Sequence, residues 1–434
     1  MLNGVFILAV SVILIVWCCL HLVLSRALRE APFLDEKDEV HLPEPAPLVS
    51  VLIAARNEAG NIGRALESLF AQDYPNFEVL VVDDRSEDDT ADIVREYVGR
   101  DTRLRLFRCT DLPEGWTGKN HALWQTVRHA RGEILLFLDA DVALDPGTLS
   151  VMVVNLIERR AGMLSLSLRL DSRSFWEKAV HLLIGAIILL RFPLRKVNDP
   201  DHRLALANGQ IIMMRADAYH AVGGHRRVKS ILLEDMALSR LMKREGHRPM
   251  FAYGFNMGSV RWYPALRDVW HGWSRVYYNV VQGSLPELFY AAGLLIFLAL
   301  IPVGLLVWTT VRLLAGGTGA STTTLFLLAI SQTVLMTWLF ARLAGIGRCG
   351  RWYAATVAPT AVIALGIVCS GIVRRLTGGK VFWKGRHYRS LFDPPDRHEG
   401  PEPPCALVEL RSPGDDEAFE AVPGGMDPVE GTEG

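Results

Sequence analysis

Long apolar runs lie near both ends of the chain, and a stretch of mixed apolar and polar residues separates them. The first run covers residues 2–24, and three more cover residues 288–311, 321–341 and 352–373. Each run is close to the ~20 residues that cross a bilayer as a helix. No basic residue precedes the first run and no small-residue cleavage motif follows it, which favours an uncleaved anchor over a signal peptide.

The stretch between the runs alternates between two patterns. Short apolar segments typical of buried strands are separated by segments whose apolar residues recur at helical spacing. Strands that alternate with helices of about ten residues predict an α/β fold with a mainly parallel sheet, whose ligands bind beyond the carboxyl ends of the strands. The predicted strands are residues 48–54, 78–82, 104–107 and 134–138, and the predicted helices are residues 61–71, 90–98 and 118–130.

These patterns divide the chain into segments. Residues 175–192 are apolar at helical length with charged residues near their ends, so we expect a helix that lies on the membrane surface, with a buried helix as the alternative. The predicted boundaries are an anchor at 1–26, a polar linker at 27–47, an α/β domain at 48–285, transmembrane helices at 286–375, a basic juxtamembrane segment at 376–392 and a disordered acidic tail at 393–434.

Charge is distributed unevenly along the chain, although the formal net charge is only −1. Residues 393–434 contain twelve acidic residues and two arginines, so the rest of the chain is net positive. A basic body is typical of a protein that lies against anionic lipid headgroups. No basic run with interleaved aromatic residues occurs, which argues against nucleic acid as a partner.

The four apolar runs conflict with the distribution of basic residues if all of them span. With the α/β domain in the cytoplasm, the last run would place the cluster of Arg374, Arg375 and Lys380 outside, against the rule that basic loops stay inside. Either one run is re-entrant or the first run does not span. Pro359 and Gly366 favour residues 352–373 as the re-entrant run.

Two aspartates follow the strand predicted at residues 134–138. Asp139 and Asp141 are separated by one residue, and positions i and i+2 at a strand end share a face. Two carboxylates at that spacing suit Mg²⁺ or Mn²⁺ and leave room for substrate phosphates. The segment is therefore a candidate metal site, with an acidic surface loop as the alternative.

Polar residues also follow the first two predicted strands. Asp83 and Asp84 end the segment Val-Val-Asp-Asp-Arg-Ser, where a carboxylate can accept hydrogen bonds from a base or a ribose. Acids at this point can equally cap the helix that begins near residue 90. Arg56 and Glu58, in Ala-Arg-Asn-Glu, are expected to form another wall of the same crevice.

The order of these motifs resembles the inverting family 2 glycosyltransferases over residues 48–279. Ala-Arg-Asn-Glu, Val-Val-Asp-Asp-Arg-Ser and Leu-Asp-Ala-Asp are followed by Leu-Leu-Glu-Asp, which ends at Asp235. The resemblance implies a GT-A type fold, a UDP- or GDP-sugar donor, and Asp235 as the base that deprotonates the acceptor hydroxyl. Glu234 would orient a neighbour or contact the acceptor, and the alternative is that both acids only begin a helix.

Further segments are similar to the branch of this family that acts on carotenoids and hopanoid-type lipids. They are Gly-Trp-Thr-Gly-Lys, which ends at Lys119, Ala-Asn-Gly-Gln, which contains Gly209, and Trp-Lys-Gly-Arg at residues 383–386. Lys119 is expected to meet a diphosphate as a point charge, with a surface lysine that opens a helix as the alternative. Processive synthases carry a Gln-x-x-Arg-Trp motif where this chain has Trp273 and Arg275, so a single transfer is favoured.

The resemblance implies an enzyme of the plasma membrane, multi-pass with a cytoplasmic catalytic domain, that moves one sugar to a hydroxyl of a carotenoid, hopanoid or ceramide-like lipid. The alternatives are a polyprenyl-phosphate sugar or exopolysaccharide synthase and, from another class, an inactive scaffold or nucleotide-sugar sensor. The candidate substrate-binding residues are Arg56, Glu58, Asp83, Asp84, Lys119, Asp139, Gly209, Glu234, Trp273 and Arg275. A third metal ligand stays open, with His121, His225 and His271 as candidates.

Overall fold

The computed structural model describes residues 2–261, 265–379, 381–383, 386–388 and 407–410. The chain forms two compact units, which we call the sheet unit and the helical unit. The sheet unit comprises Pro32–Arg169, Lys196–Arg261 and Leu391–Gly434, and the helical unit comprises Met1–Ala31, Leu170–Arg195 and Trp262–Ser390.

Within the described residues, a sheet of ten strands organises the sheet unit, in the order β1-β9-β7-β8-β5-β2-β3-β4-β12, with β6 paired to β9. Strands β5, β2, β3 and β4 are parallel, whereas β8 and β12 pair antiparallel to their neighbours. The strands are β1 (Phe33–Asp35), β2 (Val49–Ala55), β3 (Phe77–Asp83), β4 (Leu104–Cys109), β5 (Ile134–Leu138), β6 (Val142–Leu144), β7 (Met163–Leu170), β8 (Ile211–Arg215), β9 (Pro249–Val260) and β12 (Leu407–Leu410).

The centre of this sheet confirms the predicted α/β fold. Strand β3 is buried at every position and β2 at all but one, because helices cover both faces of a parallel sheet. The four strands predicted from the sequence correspond to β2 to β5. The sheet unit also contains the helices α2 (Ile62–Phe70), α3 (Thr90–Val98), α4 (Gly118–Val127), α5 (Thr148–Glu158), α8 (Ala216–Ala221), α9 (Gly224–Arg227) and α10 (Glu234–Arg244).

Two predictions about the segments that flank the domain are wrong in part. The expected linker at 27–47 contains β1, which pairs parallel with β9. The expected disordered tail contains β12, which pairs antiparallel with β4, so disorder is wrong for Leu407–Leu410. Leu407 is buried against Phe107 and Cys109, and burial of this side chain explains why a short segment of an acidic tail adopts a strand.

The helical unit contains four helices that are long and apolar enough to cross a membrane, within the part of the chain that the structure describes. They are Gly4–Glu30, Leu285–Leu314, Ala320–Ile346 and Arg351–Thr377. The second of these is continuous through α12 (Leu285–Leu294), a π-helical segment (Leu295–Leu300) and α13 (Ile301–Leu314), and the fourth begins as a 3₁₀ helix (Arg351–Thr356). The α-helices of the other spans are α1 (Leu2–Glu30), α14 (Ala320–Ile346) and α15 (Val357–Thr377).

Two further helices of this unit come from within the range predicted as one α/β domain. They are α6 (Phe175–Arg191) and α11 (Leu266–Val280), and they share an apolar cluster with α15 that contains Val180, Trp273 and Ile367. The observed units therefore differ from the predicted boundaries of 48–285. The other elements of the described residues are the short helix α7 (Leu194–Val197) and the antiparallel pair of β10 (Val381–Trp383) and β11 (Arg386–Tyr388).

Candidate active site

The ammonium group of Lys119 joins two carboxylates that come from distant parts of the sequence. Its Nζ lies 2.7 Å from Asp139 Oδ1 and 2.7 Å from Glu234 Oε1. Burial opposes the charge of the ammonium, but the two carboxylates outweigh that effect and raise the pKa of Lys119. The lysine is therefore a fixed positive charge at the centre of the predicted site.

The Gly-Trp-Thr-Gly-Lys segment explains how Lys119 reaches this position. Thr117 is the N-cap of α4, and its hydroxyl accepts a hydrogen bond from Asn120 N at 3.3 Å. The side-chain amide of Asn120 donates to Val228 O at 2.8 Å and to Ile231 O at 3.0 Å. These bonds attach the start of α4 to the loop that precedes α10, so Lys119 and Glu234 lie together.

Asp235 occupies the second position of α10 and is held by two main-chain amides. Gly209 N donates to Asp235 Oδ2 at 2.7 Å, and Met236 N donates to Oδ1 at 2.7 Å. Gly209 comes near because the antiparallel pairing of β5 and β8 brings the two ends of these strands together, and Asp139 N donates to Gln210 O at 3.0 Å. A side chain at position 209 would lie 3.3 Å from Asp235 Oδ2 and 3.5 Å from Lys119 Nζ.

The surroundings of Asp235 shift its proton affinity toward neutrality. Burial and the negative charge of Glu234 raise the pKa of Asp235 to about 7, against the opposing effects of the two amides and of Lys119. A carboxyl with this pKa exchanges protons in the physiological range. Such values are typical of catalytic acids and bases.

Asp83 and Asp84 lie at the carboxyl end of β3, as the sequence predicted. Asp83 is fully buried, and its carboxylate accepts hydrogen bonds from Ser86 N at 3.0 Å and from Arg108 Nε at 2.8 Å. Asp84 is paired with the guanidinium of Arg85. Asp83 therefore holds the loop that contains Ser86 and the neighbouring strand β4, whereas Asp84 contacts the Arg85 guanidinium at the end of β3.

The loops after β2 and β3 interlock at this edge of the sheet. Asn57 and Arg85 both adopt positive φ values, 54° and 56°, which non-glycine residues rarely adopt. Asn57 N donates to Ser86 Oγ at 3.0 Å, and Asn57 Oδ1 accepts from Glu87 N at 2.9 Å. The surrounding bonds hold this strained backbone, which is common at ligand-binding sites.

Arg56 and Glu58 also lie in this interlocked region, where each makes a bond that shapes the loops. Arg56 Nη1 donates to Asp84 O at 3.0 Å, and Glu58 Oε2 accepts from Asn61 Nδ2 at 2.9 Å. The capping alternative holds only for Asp88: its Oδ1 accepts from Thr90 N at 3.1 Å, whereas the N-cap residue Asp89 makes no side-chain capping hydrogen bond. Capping and ligand binding are compatible, since they use different acids.

The chemistry of the donor set fits a divalent metal. Asp139 and Asp141 follow β5 directly, and Arg64 Nη2 donates to Asp141 O at 2.8 Å, which fixes the turn between them. Within the described residues, no three His, Cys, Asp or Glu side chains form a ready metal cluster. Mg²⁺ is commonly held by one or two carboxylates together with substrate phosphates and water, so the pair is sufficient for such an ion.

Two predicted substrate residues belong to the helical unit. Trp273 and Arg275 lie on α11, and the Trp273 ring is buried in an apolar cluster beside His181. Among the histidines considered as metal ligands, His225 hydrogen bonds to the Tyr219 hydroxyl at 2.8 Å, and burial lowers the pKa of His225 to about 3. His225 therefore has a structural partner within the sheet unit.

Sequence reasoning missed three arginines that shape the site. Arg108 pairs with Asp83 from the next strand, Arg85 pairs with Asp84, and Arg64 holds the Asp141 carbonyl. The strand register contains the signal for the first, because Asp83 lies opposite Arg108 in the pairing of β3 with β4. The sequence alone gives no register for β4, so this partner could not be assigned from it.

Comparison with known proteins agrees with this geometry. The model of the family "Glycosyl transferase family 2" matches residues 50–223, which include β2 to β5 and the Lys119 and Asp139 positions. Residues 50–223 form a family 2 glycosyltransferase domain. The mixed, mainly parallel sheet of this domain is the GT-A type fold that the sequence resemblance implied.

Relatives of the family 2 domain include a carotenoid-associated enzyme. The chain is 26% identical over 254 residues to the 4,4'-diaponeurosporenoate glycosyltransferase of Staphylococcus aureus strain USA300, a match that covers 57% of this chain and 66% of the relative. The chain therefore spans just under two thirds of the length of that relative.

Solved structures with similarity to the chain include two nucleotide-sugar enzymes. The mannosyltransferase PcManGT from Pyrobaculum calidifontis, in complex with GDP-Man and Mn²⁺, is 19% identical with a TM-score of 0.46, over 87% of this chain and 99% of that one. The glucosyl-3-phosphoglycerate synthase from Mycobacterium tuberculosis, in complex with Mn²⁺ and UDP-glucose, is 16% identical with a TM-score of 0.41, over 58% and 86%.

Gly209→Ala tests whether the contact between the Gly209 amide and Asp235 matters for turnover. The new methyl group would crowd Asp235, so we expect the rate of sugar transfer to fall on the order of tenfold, because small misplacements of reacting groups cost rate. Initial rates and the thermal unfolding temperature would be measured together. Gly60→Ala is the matched control, since a Cβ there meets nothing within 4 Å. Equal rates for the two variants would contradict the prediction.

Proposed function

We propose that this protein is an inverting glycosyltransferase that moves a single sugar from a UDP- or GDP-sugar to a hydroxyl group of a membrane lipid. The observation that carries the proposal is the convergence of Asp235, Glu234, Lys119 and Asp139 at the ends of β5 and α10. The family 2 domain and the carotenoid-associated relative support the same conclusion. The lipid class is a carotenoid, a hopanoid or a ceramide-like molecule.

Asp235 acts as the base in this proposal. Its carboxylate accepts the proton of the acceptor hydroxyl while the acceptor oxygen attacks the anomeric carbon from the face opposite the leaving diphosphate, which inverts the configuration. The amides of Gly209 and Met236 hold both carboxylate oxygens in a fixed orientation, so the base is already positioned before the acceptor arrives.

The donor side of the site is formed by the strand-end loops. In this proposal the carboxylates of Asp84 and Asp139 accept hydrogen bonds from the nucleoside, and the charge of Lys119, which lies beside Asp139, attracts the diphosphate. A divalent metal held by Asp139 and Asp141 would reduce the negative charge of the departing diphosphate when it is bound. In this scheme Lys119 leaves Asp139 when the donor binds and contacts the diphosphate instead.

A cavity in the helical unit supports a lipid acceptor. It has a volume of about 230 Å³ and an apolar wall that includes Leu183, Trp273, Ala291 and Phe340. An ion pair between Arg191 and Glu287, 3.4 Å apart, borders it. Its volume is below the ~300–1,000 Å³ of pockets that enclose a whole drug-sized ligand, so it suits one segment of an apolar chain.

The proposed orientation places the family 2 domain in the cytoplasm, where nucleotide sugars are made available, and the long apolar helices in the plasma membrane. Apolar helices of this length support membrane insertion. The acceptor then reaches the enzyme through the bilayer, and the donor reaches it from the aqueous side.

Asp235→Asn tests the proposed reaction. The amide cannot accept the proton, so we expect transfer to fall on the order of 10²–10⁴-fold in membranes that contain the variant. Membranes would be incubated with labelled UDP- and GDP-sugars, and the lipid extract would be analysed by mass spectrometry for monoglycosylated neutral lipid. Asp217→Asn is the control, since Asp217 is an exposed residue paired with Arg215. If the Asp235→Asn variant forms as much product as the parent protein, Asp235 is not the base. If the product is an acid-labile phospho-sugar or a polymer, the acceptor is not a neutral membrane lipid.

The pH dependence of transfer follows from the pKa of Asp235. A base must be deprotonated, so kcat/KM is expected to fall about tenfold per pH unit below about 7 and to level off above it. Glu234 raises that pKa, so Glu234→Gln should move the acidic limb to lower pH, whereas Glu158→Gln at an exposed position should leave it in place. A limb that stays fixed, or moves to higher pH, in Glu234→Gln contradicts the assignment.

Ala291→Trp tests whether the cavity holds the acceptor. The indole would fill much of the space, so we expect the KM for the lipid acceptor to rise about tenfold while the KM for the donor stays unchanged. Ala292→Trp is the matched control, because this neighbouring residue is not part of the cavity wall. If both variants bind acceptor like the parent protein, the cavity has no part in acceptor binding.

A further inference from the structure

The direction of α14 follows from its bonds to α1. Gln332 Nε2 donates to Val10 O at 2.6 Å, and the Arg342 guanidinium donates to Ser25 Oγ at 3.0 Å. Between them, His21 Nε2 lies 2.8 Å from Leu335 O. Residue numbers increase in the same direction along these contacts in both helices, so α1 and α14 run parallel. Because α1 ends at Glu30, directly before the sheet unit, the carboxyl end of α14 lies on the same side of the membrane as the sheet unit.

The helix that precedes α14 runs the opposite way. Only residues 315–319 separate α13 from α14, and Leu305 and Leu325 pack with Val10 in one apolar cluster. Val10 belongs to the half of α1 that is remote from the sheet unit. The loop at 315–319 therefore lies on the far side of the membrane, and α12 begins on the near side.

The helix α15 and its 3₁₀ turn have both ends on the near side. The turn begins at Arg351, and only residues 347–350 separate it from the end of α14 at Ile346. At the other end, Gly371 lies against Leu288 and Tyr278, with a Cβ at Gly371 only 3.2 Å from Leu288 Cδ2. Leu288 belongs to the first turn of α12, which is also on the near side. A helix of 27 residues is about 40 Å long, so crossing the membrane would separate its ends onto opposite sides.

Both ends of the helix α6 also lie on the near side of the membrane. Its first residue, Phe175, stacks on Trp352 with ring centroids 5.9 Å apart, and its last residue, Arg191, pairs with Glu287 at 3.4 Å. Both of these partners lie at near-side helix ends. The chain enters α6 from the sheet unit and returns to it afterwards, so α6 does not cross either.

The acidic tail gives an independent indication of sidedness. Strand β12 pairs with β4 from Leu407 opposite Cys109 to Leu410 opposite Leu106, and Glu409 pairs with Arg105 at 2.8 Å. The tail is thus part of the sheet unit's own sheet. The chain between the sheet unit and the tail must therefore cross the membrane an even number of times, and three spans after residue 285 are excluded.

We infer that the chain crosses the membrane three times rather than four, through α1, the α12–α13 helix and α14, and that α15 lies with α6 and α11 as a layer in the headgroup region. We call these three helices the interfacial layer. They share the cluster of Val180, Trp273 and Ile367. The start of α1 is on the far side, and Leu407–Leu410 are on the near side with the sheet unit.

This arrangement removes the conflict in the charge distribution. Arg342, Arg348, Arg351, Arg374 and Arg375 all lie on the near side, and Arg312 alone adjoins the far loop. Basic residues beside spans are retained in the cytoplasm, so the near side is cytoplasmic. The basic residues at the ends of the interfacial layer then face anionic lipid headgroups, which attract them.

Labelling of single cysteines by a membrane-impermeant maleimide tests the sidedness in the full-length chain. On a background without the native cysteines, reporters would be placed at Arg100 in the sheet unit, Thr318 in the far loop and Gly379 after α15. We expect Gly379→Cys and Arg100→Cys to react in inside-out vesicles and Thr318→Cys to react in intact spheroplasts. The inference is overturned if Gly379→Cys is labelled in the same preparation as Thr318→Cys. It is also overturned if Thr318→Cys is labelled in the same preparation as Arg100→Cys. No sugar transfer is measured, so failure here is separate from failure of the proposed function.

Immersion depth tests the interfacial layer directly. Val334 lies near the middle of α14 and Val362 near the middle of the continuous helix Arg351–Thr377, and their side chains are 60% and 58% exposed. Nitroxide labels at these two positions would be compared by the accessibility of oxygen and of a water-soluble relaxing agent. We expect a label at Val334 to lie near the bilayer centre and a label at Val362 at headgroup depth. Equal depths near the centre would show that α15 spans and would overturn the inference.

Discussion

The contact of Lys119 with Asp139 and Glu234 is the interaction on which the rest of the site depends. It joins the end of β5, the start of α4 and the start of α10, three elements that come from separate stretches of the sequence. Without a cation between them, the partly buried carboxylates of Asp139, Glu234 and Asp235 would repel one another. The lysine therefore lets the domain concentrate acids at one point, and the acids are the groups that a metal, a sugar hydroxyl and an acceptor proton require.

Asp235 shows how the fold sets the reactivity of one member of this group. Burial and the charge of Glu234 raise the pKa of Asp235, whereas the amides of Met236 and Gly209 and the charge of Lys119 stabilise its ionised form. The resulting pKa lies between that of a surface aspartate, which is a weak base, and that of an isolated buried acid, which would stay protonated. Gly209 serves this balance because the absence of a side chain allows its amide to approach the carboxylate.

Much of the sheet unit could be predicted from the sequence because its signals are local. Apolar runs identified β2 to β5, and acids placed at their ends identified Asp83, Asp84, Asp139 and Asp141. What could not be predicted depends on pairing between remote segments. The register that places Arg108 against Asp83 and the return of residues 407–410 to β4 have no local signal, since four residues of a polar tail carry little apolar surface. Likewise, Ala320–Ile346 and Arg351–Thr377 are both long and apolar enough to span, so the placement of α15 rests on its contacts.

The strand β12 has a consequence for the solubility of the protein. A parallel sheet that ended at β4 would present a row of unpaired amide and carbonyl groups, which can pair with a strand of another molecule. The tail occupies that row through four residues and adds the Arg105–Glu409 pair. The chain thus covers its own sheet edge with Leu407–Leu410. A covered edge cannot act as a template for a strand of another molecule, so the pairing of β12 with β4 disfavours edge-to-edge aggregation.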